Sequence, residues 1–522
     1  MKLRPEFLVL KPGTLIVDFR AAGPISREAM YMSIVMLKNG LNSKVLNCLA
    51  MLLSRFLTSA VRAKKWHSMY LMEGLRARYC SSTNPPDQAT INQLEEVKSI
   101  SNQQKLYMID PTTPGSIFFL PHGARLFNKL VEFMKVQQRM FGFEEVITPV
   151  IYKKDLWKRS GHWAHYKRDM FEVFGADHGE QSADGDMSST ENKSEYSLKP
   201  MNCPGHCLIF SRHERSFREL PIRLTDYSPL HRNEASGALT GLTRVRKFHQ
   251  DDGHIFCMPD QVETEMNSCL KLIDTVYRIF GLDDYELTLS TRPETFIGTV
   301  EVWDRAEANL KEALNRSGKP WTVNEGDGAF YGPKIDILVK DNLGKQHQTA
   351  TIQLDFQLPE NFALEFTTSS GTQHRPVMIH RAIYGSIERF MAILIDHYQG
   401  KWPFWINPRQ ALVIPVSAKH AEYAQSVAEK LSGKLFTSNT ESVPAGKLGA
   451  QVFNVEVALQ DEPVNVRIRR AISENYSFIL MVGDREVESN TVTMRPRGSR
   501  ATQTVTVEEL HQHFCKLQNE YA

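Results

Sequence analysis

Between His122 and Met140 the apolar side chains of Leu126, Leu130, Phe133 and Met134 recur at spacings of three and four, which predicts an amphipathic helix. Gly142 breaks that pattern, and the run FEEVITP after it predicts a strand ending at Pro149. From about Tyr196 to Tyr398 short strand-like and helix-like runs alternate without a fixed-period repeat and close on the apolar helix ERFMAILIDHY, which predicts one α+β domain. The connector KWPFWINP then marks a change of texture. QALVIPVS reads as a buried strand, Ala421, Ala424, Ala428 and Leu431 share a helical face, and SFILMVG at 477–483 reads as another strand. Such alternation over 408–522 predicts an α/β domain with a mainly parallel sheet.

Two stretches fall outside these patterns. Residues 175–195, GADHGEQSADGDMSSTENKSE, lack apolar periodicity and are rich in Gly, Ser and Asp, so they read as a disordered insertion without chemistry of its own. Residues 1–106 read as an N-terminal extension, in which 51–82 is rich in Arg, Lys, Ser and Leu with Glu73 its only acid. That is the composition of a mitochondrial transit peptide, and it predicts import into the matrix. The acids Glu6, Asp18 and Glu28 do not suit such a peptide, so Met51 or a nearby Met is expected to be a working start. The resulting division is an extension to 106, a domain over 107–407 and a second domain over 408–522.

Composition narrows the function classes. Lys plus Arg number 62 against 60 Asp plus Glu, so a nucleic-acid surface must come from local clustering of charge rather than from a net +2. Seven cysteines scattered from Cys48 to Cys515 do not make a secreted disulfide framework. No run approaches the roughly 18 consecutive apolar residues of a bilayer-spanning helix, so no membrane partner is expected.

Metal-capable and phosphate-capable side chains concentrate in KPMNCPGHC (199–207), HRNEASGALTGLTRVRKFHQDDGHIF (231–256) and MIHRAIYGSIERF (378–390). A lone Cys or His in any of them would more often be a core residue than a ligand. In combination, over 107–522, the segments resemble the threonyl-tRNA synthetases. The resemblance includes a helix and strand ending in Pro149, Arg232 and Glu234 in the second class II motif, Arg389 in the third, and the threonyl-specific PMNCPGH, QDDGHIF and MIHRA.

The resemblance implies a class II catalytic domain, an antiparallel sheet flanked by helices, followed by an α/β anticodon-binding domain. It implies ATP-dependent attachment of L-threonine to tRNA(Thr) through a threonyl-adenylate in mitochondrial translation. Zinc is expected on Cys203, His254 and His380, and Mg²⁺ with the ATP. Arg232 and Arg389 are the expected catalytic arginines, and Glu234, Arg244, Phe248 and Gln348 complete the ATP site. Met201, Gln250, Asp252, Tyr331, Lys334 and Gln353 are expected around threonine, and the first motif is expected to form a homodimer interface.

Elementary chemistry is consistent with these roles. Zinc accepts one thiolate and two imidazoles and, held by three protein ligands, keeps a position open. Strand alternation places Asp252 and His254 on one face, so both can point into one pocket. His206, Cys207, His162 and His165 are equally capable side chains but fall outside the family's ligand positions.

In the last domain GDREVES at 483–489 is the clearest match, and Arg467, Arg469, Arg470, Arg495 and Arg497 are candidates for phosphate contacts. Full-length bacterial and cytosolic family members carry two further N-terminal domains, one of which hydrolyses Ser-tRNA. Too few residues precede the first motif here for either, so the chain is expected to be of the short mitochondrial type without that editing domain.

Overall fold

In the computed structural model, residues 8–11, 14–17, 88–174, 195–340, 344, 346–433 and 452–522 are described. The transit-like segment 51–82 and, save Glu195, the insertion 175–195 lie outside them. The chain divides into units 1–86 and 87–522. The first contains an antiparallel hairpin of Leu8–Lys11 and Thr14–Val17.

The second unit begins ahead of the expected boundary at 107, because helix α1 (Gln88–Gln103) is packed into it. Val97 and Ile100 lie on the main core, and the buried Gln104 uses both ends of its amide. Its Nε2 donates to the Gly400 carbonyl at 2.7 Å and its Oε1 accepts from Trp402 Nε1 at 2.7 Å. The predicted amphipathic helix is α2 (Pro121–Met140); it starts on a proline, whose missing N–H costs a first turn nothing, and buries Leu126, Leu130, Phe133 and Met134.

The strand expected to run to Pro149 pairs only over Glu144–Glu145 (β1). Beyond it the Thr148 amide and hydroxyl bond the Asp226 carboxylate, at 3.1 and 2.6 Å, instead of continuing a ladder. The other strands of this sheet are β2 (Ile222–Asp226), β3 (Asp252–Cys257), β4 (Tyr285–Ser290), β5 (Trp321–Asn324), β6 (Lys334–Lys340), β7 (Gln346–Asp355) and β8 (Val377–Ala382). Their order is β5-β4-β6-β7-β8-β3-β2-β1, with the outer pairs parallel and the inner ones antiparallel.

The longer helices that follow in this domain are α3 (Cys203–Phe210), α4 (Val262–Ile279), α5 (Val300–Arg316) and α6 (Ile387–Tyr398). Alternation gives the sheet two chemically different faces. Ile255, Leu289, Ile335, Leu354 and Ile379 join the core with α2, α4, α5 and α6. The alternate positions Ser290, Lys334, Gln353, His380 and His254 form one register row on the opposite face. Gly253, on the core face two positions before Ile255, permits a close approach: a Cβ there would stand 2.6 Å from the guanidinium carbon of the buried Arg381. Arg381 donates to the Asp251 carbonyl at 2.9 Å and lies over the Phe143 ring at 4.1 Å.

The last domain has strands β9 (Ala411–Pro415), β10 (Val455–Val457), β11 (Phe478–Val482), β12 (Thr491–Pro496) and β13 (Gln503–Thr506), in the order β10-β9-β11-β12-β13. The parallel sheet expected here holds for the first three, whereas β12 and β13 return as antiparallel hairpin strands. Helices α7 (Ala421–Ser432), α8 (Val464–Ser473) and α9 (Val507–Asn519) flank it. No helix among the described residues is long and apolar enough to cross a membrane.

The two domains meet through Glu456 of β10. It faces His122 and Arg125 of α2, each at 3.4 Å, and accepts from Tyr476 Oη at 2.6 Å. Burial alone would raise this carboxyl, but the bonds from His122 and Tyr476 and the charge of Arg125 outweigh it and bring the pKa from the usual 4.5 to about 2. A depressed carboxylate stabilises the fold above its unfolded pKa and loses that contribution as pH falls. Relative to Glu456→Gln, the unfolding midpoint of the native chain should therefore drop as pH falls from 4.5 to about 2. Parallel midpoints through that window would contradict this role.

Candidate active site

The polar row of the sheet is covered by α3, and the site lies between them. Cys203 is the first residue of α3, placed by the turn after Lys199, whose amide donates to the Val150 carbonyl at 2.8 Å. His254 and His380 are direct cross-strand partners on β3 and β8. The ligand-capable atoms of Cys203, His254 and His380 lie within 4.8 Å of one another, and all three residues are buried.

A chain of close contacts runs through this centre. His254 Nδ1 is 2.8 Å from His206 Nδ1, His254 Nε2 is 3.0 Å from His380 Nδ1, and His380 Nε2 is 2.8 Å from Asp355 Oδ2. At the other end His206 Nε2 stands 3.8 Å from Asp226 Oδ2. Tautomers decide which of these nitrogens offer lone pairs. With protons on His206 Nε2 and His380 Nε2, toward the two terminal carboxylates, and on His254 Nδ1, toward His206, the nitrogens left over are His254 Nε2 and His380 Nδ1. In that tautomer set both offer lone pairs beside the Cys203 thiol.

That arrangement suits a cation. A tetrahedral zinc at Zn–N of about 2.0–2.1 Å separates two nitrogens by about 3.3 Å, close to the gap present, and sulfur with imidazole is a zinc donor set. Burial, then the neighbouring His380 and His206, push His254 far below the usual histidine range and keep the ring neutral. Burial pushes the Cys203 thiol up, and a bound cation would reverse this by favouring the thiolate.

Around the centre lie the residues expected near threonine. Asp252 Oδ1 is 3.8 Å from His254 Nε2, and its Oδ2 accepts from Asn202 Nδ2 at 3.1 Å. Gln353 donates to the Gly332 carbonyl at 3.1 Å, and Tyr331 tilts over His380 with ring centroids 5.5 Å apart. Lys334 pairs with Asp336 at 2.9 Å and Asp327 at 3.3 Å, so its charge is already shared. Met201 packs at the edge of the apolar cluster under α3, and Gln250 bridges to Ser386 at the start of α6.

The expected phosphate arginines gather at one end of this pocket. The guanidinium of Arg232 sits 4.9 Å above the Phe248 ring. Arg389, in the first turn of α6, bonds the carbonyls of Thr243 and Gln348 at 3.3 and 3.4 Å. Arg244 pairs with Glu234 at 2.9 Å. Burial, then the charges of Arg232 and Arg244, lower the pKa of Arg389, with Glu234 opposing. Three guanidinium groups with one carboxylate among them make an anion-binding end. Phe248 itself is buried with Leu230 and Val245, while the Gln348 side chain is tied to Asp336 and Thr351.

Of three further side chains at the centre, Asp355 was not singled out from the sequence, and His206 and His162 were named there only as capable residues outside the family's ligand positions. Asp355 follows Gln353 by two positions on β7 and therefore shares its face. His206 follows Cys203 by three positions on α3, the spacing that brings helical side chains together. Buried His162 lies with its Nε2 3.9 Å from Cys203 Sγ, and burial holds its pKa down to about 4.

In the last domain several of the five candidate phosphate arginines hold backbone carbonyls, Arg495 that of Ser499 at 2.7 Å. Arg467 is buried and donates to the Ala458 carbonyl, and Arg497 holds the Trp402 carbonyl of the connector at 2.6 Å. Arg470 is paired with Glu462, whereas Arg469 is exposed.

Comparison with known proteins agrees with this architecture. The class II core domain family of tRNA synthetases (G, H, P, S and T) matches residues 186–398, and an anticodon binding domain family matches 410–517. The mitochondrial threonine--tRNA ligase of Saccharomyces cerevisiae is 49% identical over 88% of this chain and 99% of its own length. The cytoplasmic threonine--tRNA ligase 1 of Homo sapiens is 47% identical over 80% of this chain, which spans 54% of that protein. The crystal structure titled as the RNA binding domain of threonyl-tRNA synthetase from Cryptosporidium parvum superposes with a TM-score of 0.72 at 42% identity, covering 81% of this chain and 98% of that one.

Proposed function

The chain belongs to the threonyl-tRNA synthetase family, and from that premise we propose that it charges tRNA(Thr) with L-threonine in the mitochondrial matrix, recognising threonine at a zinc ion held by Cys203, His254 and His380. The observation that carries the zinc reading is the convergence of His254 Nε2 and His380 Nδ1, 3.0 Å apart, beside a buried thiol. The names of the yeast and plant mitochondrial relatives support the compartment.

When bound, zinc would supply a Lewis-acidic centre with open positions for the amino and hydroxyl groups of threonine. The chain's own residues do the remainder. Asp252, oriented by Asn202, accepts a hydrogen bond from the amino or hydroxyl group. Tyr331 and Met201 wall the pocket against water, and Gln353 and Lys334 line the sheet side of the row. The threonine carboxylate then attacks the α-phosphate of ATP in line, forming threonyl-adenylate and releasing diphosphate, and the 3′-terminal ribose of the tRNA takes the threonyl group from it. Arg232 holds the α-phosphate, Arg389 the γ-phosphate and Arg244 supports both, with Glu234 near the adenine amino group and Phe248 beneath the base. Mg²⁺ would accompany the ATP and offset phosphate charge beside these arginines.

Metal analysis tests the centre directly. The native protein should hold about one zinc per chain, and Cys203→Ala, His254→Ala and His380→Ala should each lose it together with threonine-dependent diphosphate exchange. Stoichiometric zinc in all three variants would overturn the assignment.

We also propose a homodimer formed through the first motif. Met140 at the end of α2 and Ile147 beyond β1 are 76% and 85% exposed, and Val136 and Ile151 are also exposed in this stretch of the chain. A surface of this kind is expected to be covered by a second copy. Light scattering should give twice the chain mass for the native protein and a shift toward the monomer for Ile147→Asp; an unchanged mass would sink this interface.

A further inference from the structure

We propose that His206 is a positioning residue that decides which nitrogen of His254 is left free for the metal. The inference rests on the zinc reading above. His206 is fully buried on α3, its ring lies edge-on to His254 with centroids 4.7 Å apart, and its Nδ1 is 2.8 Å from His254 Nδ1. That contact has room for a single proton, and its owner matters. Carried by His254 Nδ1, it leaves His254 Nε2 as a lone pair facing His380 and Cys203. Carried by His206 Nδ1, it moves the His254 proton to Nε2 and blocks the ligating atom.

The setting of His206 selects the first arrangement. Its Nε2 has no hydrogen-bond partner among the described residues, and the nearest carboxylate oxygen is Asp226 Oδ2 at 3.8 Å. A proton on Nε2 is attracted by that carboxylate, which leaves His206 Nδ1 as the acceptor; Asp252 Oδ1, 3.8 Å from His254 Nε2, pulls the His254 proton the other way, so the His206 Nδ1 lone pair is what holds it on Nδ1. Asp226 is itself immobilised: it accepts from the Thr148 amide and hydroxyl and from the Ser228 amide at 2.7 Å, and it stands 3.6 Å from the ammonium of Lys199. Lys199 in turn donates to Thr148 Oγ1 at 2.7 Å. The buried polar residues of KPMNCPGH thus divide the work. Cys203 faces the metal position, Asn202 orients Asp252, and Lys199 and His206 hold the outer layer behind His254. Outer partners of this kind fix ligand tautomers and typically govern affinity by about 10–100-fold.

The test compares three variants at this position, with zinc affinity read by competition against a chromophoric chelator and geometry by the visible spectrum of the Co²⁺-substituted protein. Asparagine places an acceptor near the lost Nδ1, so His206→Asn should stay within a few-fold of native zinc affinity and keep the native Co²⁺ bands. His206→Gln places its amide near Nε2 and His206→Ala offers neither group, so both should lose about 10–100-fold in affinity and shift those bands. Native affinity in all three, or equal weakening in all three, would overturn the proposal, the second outcome pointing to packing alone. If the native protein binds no zinc, the zinc reading fails first, which keeps the two failures distinguishable.

Discussion

Valine should be activated about 10⁴ to 10⁵ times less efficiently than threonine by this enzyme, and serine only about 10 to 200 times less. The contrast follows from what the pocket leaves unpaired. Valine matches threonine in shape but presents a methyl where threonine presents a hydroxyl. Its binding would strand Asp252 against apolar surface without water. A buried acceptor left without its donor costs the full desolvation of that group. Serine keeps the hydroxyl and loses one methyl, which removes only about 1–3 kcal/mol of apolar contact. The measurement is kcat/KM in diphosphate exchange for the three amino acids. A threonine-to-valine ratio below about 10² would show that recognition does not run through the hydroxyl.

Replacing Arg389 by alanine should lower kcat/KM for adenylate formation by about 10² to 10³, the usual effect of deleting one preorganised donor to developing charge. Its backbone amide is held by the Ser386 hydroxyl at 3.1 Å, and its guanidinium is aimed by the carbonyls of Thr243 and Gln348. The group therefore needs no reorganisation when phosphate arrives. Arg389→Lys should recover little of the loss, because an ammonium cannot reproduce a fork held by two carbonyls. Zinc content should be native in both variants, separating the phosphate end from the amino-acid end. A loss below tenfold for the alanine variant would remove Arg389 from the reaction.

The two-domain order, the α2 helix and its buried face, and the strands around Leu412 and Leu480 were legible because apolar periodicity reports burial directly. The convergence of Cys203, His254 and His380 was legible only through resemblance, since β3 and β8 are separated by more than a hundred residues and no local pattern encodes their pairing. For the same reason β12 and β13 were missed as antiparallel partners: strand direction is a property of the connection, not of the strand's own residues. Helix α1 escaped because it is held by residues distant in the chain, Val97 and Ile100 on the main core and Gln104 just beyond it reaching Gly400 and Trp402 across nearly three hundred positions. Arg467 and Arg497 read as surface charge until their guanidinium groups are seen on backbone carbonyls.

The polar row from Ser290 through Lys334, Gln353 and His380 to His254 has a consequence for how such a pocket diversifies. It is written at one level across five paired strands, so a slip of one residue in β8 would present Ile379 or Arg381 in place of His380. Correct pairing and correct recognition are then the same event, and a misregistered sheet is chemically blank. A descendant turning to another amino acid would have to exchange letters at these fixed addresses, while the loops between the strands could lengthen or shrink without moving a single address.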